Sequence, residues 1–418
     1  MDFTLQAFHD AFILVYNVLI VPVALFSTAF FLIAIYNIRQ KRAARPRQDE
    51  PKEWPSVTVQ IPTKNETVAL RCAKKCLEFD YPQDRFNIII GDDSNRKSVS
   101  SRIDSFAKEH PGKVIVTRRG SNTGYKAGNL NHMLKHSAGE IIVIFDSDFT
   151  PESDFLKRIV KPMAADRKVA YVQARWGYSN MAENRVSKFA SGILMVYHKL
   201  LAPINEKLGV SLLFGSGEAV RKDALLKLGG WKEWSMTEDV EFSLKALKAG
   251  YRAVYLQDLN VNGEVPFTVR GLAKQQKRWS YGNTRAFLQN ARWILFGSLP
   301  LKKKLALSFT LVGYISAPIL ILFTLLGFAV WFSGTPGVID FYRFFAETGK
   351  TILVSSGFLF AMLVALYREN RLRLSHSVVG ASLTIGFVVS MSVFHGLLKA
   401  FSGRRMQWYM IEKKGNQA

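Results

Sequence analysis

The sequence has little cysteine and little acidic charge. Of its 418 residues only Cys72 and Cys76 are cysteines, and 33 Asp and Glu face 56 Lys and Arg. Two thiols with no His pair beside them exclude a disulfide-stapled domain and a cysteine zinc site. Spaced four apart on a predicted helix, they read as reduced core thiols of a cytosol-facing domain. Two nucleotide-binding signatures are also missing. No G-x-G-x-x-G follows the first predicted strand, no Walker loop occurs, and the glycines of Gly120-Ser-Asn-Thr-Gly124-Tyr-Lys-Ala-Gly128 fit neither spacing.

The resulting net charge of +23 needs a partner. Nucleic acid, an anionic membrane surface and substrate phosphates would each accept it. Position decides among them. Much of the excess lies beside apolar runs, at Arg39 to Arg47, Lys302 to Lys304, Arg368 to Arg373 and Arg404-Arg405. The basic side chains therefore read as membrane-lipid contacts rather than as a nucleic-acid surface.

Mean hydropathy is near zero only because apolar ends average with a charged middle. Residues 11–38 carry no formal charge, more than the roughly 20 residues a span requires. Asp2 and Asp10 precede this run, while Arg39, Lys41, Arg42, Arg45 and Arg47 follow it. This asymmetry puts the N-terminus outside and the next segment in the cytoplasm. Residues 305–332, 351–367 and 374–398 are three further uncharged runs, giving four expected spans. That count places the basic tail outside, against the same charge rule. Residues 283–304 mix apolar, aromatic and basic positions, as a helix in the membrane interface does, or one packed on the domain.

Between them, short β-rich runs alternate with helical ones. Strands are predicted at 56–61, 86–91, 113–117 and 140–145, and helices near 68–79, 100–110 and 126–136. This alternation implies a Rossmann-like parallel sheet covered on both faces. Ligands of such sheets sit beyond the C-terminal strand ends, where Pro62-Thr-Lys-Asn-Glu66, Asp92-Asp93-Ser94-Asn95 and Asp146-Ser-Asp148 fall.

Each chemical motif has two readings. Asp146 and Asp148 can converge on a hard cation beside a diphosphate, or be turn aspartates. Asp92-Asp93 can accept from a base or ribose, or favour a turn. Thr237-Glu238-Asp239 opens a helix, with Thr237 as a plausible cap and the acids as dipole partners; equally, a carboxylate there can take a proton from an attacking hydroxyl. Arg278-Trp279 in Gln275-Gln-Lys-Arg-Trp279 suits an interfacial anchor or a diphosphate and sugar site.

Taken in order, Asp92-Asp93, Asp146-Ser-Asp148, Thr237-Glu238-Asp239 and Gln275-x-x-Arg278-Trp279 resemble the motif set of membrane-integrated family 2 inverting glycosyltransferases. These include the cellulose, chitin and hyaluronan synthases. Lys126-Ala-Gly-Asn-Leu-Asn131 and Phe214-Gly-Ser-Gly-Glu218 resemble two further loops of that family, and residues 255–279 look closest to its mannan and glucomannan branch. The resemblance implies a GT-A domain at 55–271, after a membrane helix at 1–38 and a basic linker at 39–54. The Arg-Trp segment and interface helices follow at 272–304, membrane helices at 305–400 and a basic tail at 401–418. It also implies the roles. Thr63, Glu66, Asp92, Asp93, Lys126, Asp146, Gln275 and Arg278 would hold a UDP- or GDP-hexose, and Asp146 with Asp148 a Mg²⁺ or Mn²⁺. Asp239, with Glu238, would be the base; Trp279, Gly215 and Ser216 would meet the acceptor.

Four spans are fewer than the polymer-secreting relatives have. A processive β-glycan synthase therefore stands beside single-sugar transfer to a lipid, as the ceramide glucosyltransferases perform. A non-catalytic basic scaffold would not need the aspartates. A homo-oligomer is compatible with either enzyme.

Overall fold

The computed structural model describes residues 3–40, 50–334 and 341–416; Lys41, Arg42, Arg45 and Arg47 of the expected basic linker lie outside them. Seven strands form one sheet: β1 (Val57–Thr63), β2 (Phe86–Asp92), β3 (Val114–Thr117), β4 (Ile141–Ile144), β5 (Val169–Tyr178), β6 (Glu218–Arg221) and β7 (Arg252–Gly263). Their spatial order is β3-β2-β1-β4-β6-β5-β7. The four predicted strands are β1 to β4, and they pair in parallel.

The parallel half has a compositional cause. Consecutive residues Ile88, Ile89 and Ile90 are all buried, as a strand covered on both faces demands. Helices α2 (Ala69–Leu77), α3 (Lys97–Glu109), α4 (Tyr125–Lys135) and α5 (Phe155–Ala165) supply the cover. Cys72 and Cys76 are free and pack with Phe79, Phe145 and Phe155 on one face. Leu130, Met133, Ile142 and Trp231 fill the other.

The sheet is mixed rather than wholly parallel, since β6 runs antiparallel to both β4 and β5. After β5 the chain forms α6 (Arg185–Met195), a π-helical turn at Val196–Leu201 and α7 (Ala202–Lys207). It then re-enters the sheet at the end where β5 left it. Parallel pairing needs a crossover to the other end, and this excursion makes none. Helices α8 (Lys222–Lys227) and α9 (Glu238–Lys248) lead on to β7.

The apolar runs form α1 (Phe3–Arg39), then, beyond α10 (Val269–Phe296), α11 (Leu301–Val312), α12 (Ser316–Ser333), α13 (Phe341–Ser355), α14 (Gly357–Arg368) and α15 (Ser375–Phe401). By length and composition three helical stretches could cross a membrane: Gln6–Arg39, Leu301–Ser333 and Leu372–Phe401. A fourth is the pair Phe345–Ser355 and Gly357–Arg368, bent by 62°. Aromatic contacts seat α1 in this group. Tyr16 stacks on Phe323 at 4.5 Å, and Phe30 meets Phe309 and Phe358 at 5.1 and 5.0 Å.

Helix α15 runs beside α6 and α10. Its first turns pack on α6, where Val378 adjoins Gly192, and its last turns follow α10. Ser280 Oγ donates to the Val393 carbonyl at 3.2 Å, and Arg285 to that of Ala400 at 3.5 Å. The first half of α15 thus joins the apolar cluster of α1, α6 and α14, and its last turns form a seam with α10. The tail beyond it lines the sheet domain's cavity through Trp408, Met410 and Lys413.

Gly396 sets this packing. A Cβ there would lie 2.2 Å from Ser280 Oγ and 2.5 Å from the Lys277 carbonyl of α10. Gly396→Val is expected to cost about 1–3 kcal/mol through overpacking, read as a lower melting temperature. A variant that melts with the wild type would show that the α10–α15 seam does not depend on this close approach.

Candidate active site

The C-terminal ends of β1, β2 and β4 open onto one cavity, closed by α9, α10 and the tail. At its centre is Lys126, in the first turn of α4. Its ammonium lies 2.7 Å from Asp146 Oδ1, donates to the Gly215 carbonyl at 2.5 Å, and is 3.9 Å from Glu238. Burial would strip its proton, but Asp146, Glu238 and Glu218 more than offset that and raise its pKa. Burial likewise opposes ionisation of Asp146, yet Lys126, Lys413 and Arg278 hold its pKa below the usual value. Asp146 is therefore an anion facing the cavity.

Asp148 is fixed from both sides. Its Oδ2 accepts from the Glu264 amide at 2.9 Å, and its Oδ1 is 2.8 Å from Lys413 Nζ. Lys413 also reaches Glu66 at 3.1 Å and Ser147 Oγ at 2.6 Å. An ammonium thus sits among hard oxygen donors, so these residues suit a cation. No group of three or more His, Cys, Asp or Glu that could hold a metal ion occurs among the described residues. Asp146 and Asp148 would supply part of a coordination sphere that diphosphate oxygens and water complete.

The paired aspartates separate. Asp93 lines the cavity, as do Thr63 and Glu66, and Arg119 clamps it at 2.6 and 2.9 Å. Asp92, expected beside the nucleobase, is turned away from the cavity. It accepts from the Ser94 amide, Ser100 Oγ and Arg118 Nε at 3.0, 2.7 and 2.9 Å. These bonds saturate it, so its part is to hold the strand-end loop.

Asp239 lies in the first turn of α9 and is buried. Thr237 occupies the cap position without making a cap bond, and its Oγ1 has no partner among the described residues. Capping therefore does not account for the motif. Burial first, then the charge of Glu238, pushes the Asp239 pKa up to about 7, with Lys126 opposing. A carboxylate poised near neutrality suits a general base. Gly215, at φ +90°, lets the backbone pass close: a Cβ would stand 3.2 Å from Asp239 Oδ2. Glu218 accepts the Gly215 amide at 2.9 Å. Burial and Asp239 push its pKa well up.

Gln275, Arg278 and Trp279 project from α10 into the same cavity. Arg278 has no carboxylate within ion-pair distance among the described residues, and its Nε is buried without a partner. The ring of Trp408 lies 5.8 Å away, and Glu238, Asp146 and Asp239 act on the guanidinium through space without pairing with it. An unpaired guanidinium in a cavity wall is a site for an anion.

Residues 141–334 match the family model described as glycosyl transferase family group 2. The chain carries a family 2 glycosyltransferase domain. It is 34% identical over 243 residues to the probable glucomannan 4-beta-mannosyltransferase 11 of Oryza sativa subsp. japonica, covering 56% of this chain and 42% of that one. Glucomannan 4-beta-mannosyltransferase 7 of Arabidopsis thaliana is 27% identical over 379 residues, covering 87% and 66%. The chain spans about half the length of the curated relatives it matches. Its fold is that of mannosyltransferase PcManGT from Pyrobaculum calidifontis, solved in complex with GDP-Man and Mn2+. The TM-score is 0.62 at 20% identity, over 95% of this chain and 99% of that one. The domain is thus a GT-A fold flanked by apolar helices.

One expected acceptor contact falls elsewhere in the glycosyltransferase domain. Ser216 is fully buried and outside the cavity lining. Its Oγ accepts the Asp146 amide and its carbonyl accepts Trp176 Nε1, at 2.9 and 2.8 Å, so it braces two residues that do line the cavity. Sequence reasoning passed over Trp176, His198, Trp408 and Lys413, which also line it. An Arg-Trp pair at a strand end and a tail rich in aromatic and basic residues were their only signals.

Removing Lys413 leaves Asp148 and Glu66 without their cation. Breaking a buried pair costs about 3–5 kcal/mol, and the 20% exposure of the Lys413 side chain reduces this to about 2 kcal/mol. Lys413→Ala should melt below the wild type in chelator, and Mn²⁺ should raise its melting temperature more than that of the wild type. Equal Mn²⁺ shifts in both proteins would separate Lys413 from the cation site.

Proposed function

We propose that the chain is a metal-dependent, inverting hexosyltransferase that elongates a β-linked glycan at the membrane. The observation that carries this reading is Arg278, a cavity guanidinium without a carboxylate partner, across from the anionic Asp146 and the near-neutral Asp239. A nucleoside diphosphate sugar supplies the missing anion. The relatives' names and the GDP-Man in the neighbouring structure support GDP-mannose as donor. The β-mannosyltransferase relatives favour a polymer over a single lipid-linked sugar. The basic flanks of the apolar helices support a catalytic domain on the cytoplasmic side of the cell membrane.

The reaction is a single displacement. Asp239 takes the proton of an acceptor hydroxyl as its oxygen bonds to the anomeric carbon. The bond from that carbon to the diphosphate oxygen breaks on the opposite face, so configuration inverts. Negative charge gathers on the leaving diphosphate, where Arg278 neutralises it. A divalent cation held by Asp146 and Asp148 would add electrophilic neutralisation of the same diphosphate; the neighbour's Mn2+ supports manganese, without excluding magnesium. Asp93 and Thr63 would hold the nucleoside, and Trp279 the acceptor ring.

Incubating membranes with UDP- and GDP-sugars and sizing the product tests the whole reading: a ladder of mannooligosaccharides is expected, and a single glycolipid would overturn the polymer. Arg278→Ala should lower kcat/KM about 10²–10³-fold, and Asp239→Asn about 10²–10⁴-fold. Because Asp239 works deprotonated, kcat/KM should fall as pH drops through about 7. Glu238→Gln removes a like charge, so this limb should move to lower pH. A limb that stays in place in the Glu238 variant would assign the base to another group.

A further inference from the structure

The cavity has a second, uncharged end. Beyond Gly215, the residue that skirts Asp239, its wall is built from Phe214, His198, Trp176 and Trp279. His198 stacks on Trp176 with ring centroids 5.0 Å apart and planes at 26°, and meets Phe214 edge-on at 4.6 Å. Trp176 stands 6.5 Å from Trp279. The bond from Trp176 Nε1 to the Ser216 carbonyl fixes its ring. The His198 carbonyl accepts Tyr255 Oη at 2.6 Å, so its backbone is anchored too.

Three features separate His198 from a packing residue. It lies in the π-helical turn Val196–Leu201, a distortion that helices tolerate chiefly at functional positions. It is 2% exposed, yet its Nδ1 has no hydrogen-bond partner among the described residues. A buried polar atom is ordinarily satisfied. Finally, burial, with the charges of Arg175 and Lys199, pushes its pKa down to about 3. The imidazole is neutral at working pH, with one nitrogen a donor and the other an acceptor. Both neighbouring cations are themselves engaged by Glu369, which leaves this end of the cavity without a free charge.

We propose that His198, Trp176 and Phe214 form a subsite for a hexose of the acceptor glycan, in which His198 is the positioning residue that hydrogen-bonds a sugar hydroxyl. A pyranose has an apolar face for aromatic rings and a rim of hydroxyls for a neutral donor–acceptor. A phosphate would find no cation here. The subsite adjoins the base through Phe214-Gly215, so a sugar held in it presents its neighbour's hydroxyl to Asp239. The assignment rests on the proposed transferase reading and adds the acceptor's register to it.

The test uses the full chain in detergent, β-1,4-mannohexaose as acceptor probe and GDP-mannose as donor. His198→Phe keeps a stacking ring and removes both nitrogens; His198→Gln keeps a hydrogen-bonding group. His198→Phe is expected to raise the KM for mannohexaose about tenfold, the loss of roughly one hydrogen bond. The KM for GDP-mannose should move far less than that for mannohexaose, and His198→Gln should recover most of the acceptor affinity. Wild-type acceptor kinetics in His198→Phe, or equal losses for donor and acceptor, would overturn the subsite. So would equal losses in both variants. Titrating mannohexaose without donor, followed by tryptophan fluorescence, judges the subsite independently. No quenching in wild-type protein that still binds GDP-mannose would overturn the subsite alone, whereas failure to bind any nucleotide sugar would overturn the transferase reading instead.

Discussion

The Lys126 ammonium joins four separate pieces of chain: the start of α4 that carries it, Asp146 after β4, the Gly215 carbonyl before β6 and Glu238 at the head of α9. Acidic side chains gathered in one cavity repel one another, and each resists ionisation as it is buried. Lys126, foremost of the cations around it, lets Asp146 stay charged while Asp239, further along, remains poised near neutrality. The distinct states of these two carboxylates derive from that placement.

Much of this arrangement was legible from the chain, and the reasons differ by element. The parallel strands were readable because Val57 to Ile61 and Phe86 to Gly91 are unbroken β-rich runs between polar punctuation. Strand β6 was not, since Glu218–Arg221 is four residues long and starts with a buried glutamate, offering neither length nor alternation. Asp146, Asp239 and Arg278 were found by motif order. Asp92 and Asp93 could not be told apart in sequence, because which of two adjacent side chains faces a ligand depends on strand register and on partners such as Ser100 and Arg118, both distant in the chain.

Residues 374–398 are as long and uncharged as a crossing helix, and length is the property that hydropathy measures. Helix α15 keeps that length and composition while meeting Gly192 of α6 and Ser280 and Lys277 of α10. Glu369, between α14 and α15, ties the same region to β5 and the π-helical turn through Arg175 and Lys199, so the apolar helices and the sheet share a buried ionic joint.

The unpaired guanidinium of Arg278 has a kinetic consequence. On the proposed reading it meets the diphosphate, not the sugar, and the diphosphate is the part of the donor that transfer leaves behind. The spent nucleoside diphosphate keeps every ionic contact that the donor had and carries more charge with which to keep it. Glycosidic bond formation can then be fast while the pocket stays occupied. Turnover would be paced by clearing the by-product, and the concentration of free nucleoside diphosphate in the cell would act as a brake on glycan length.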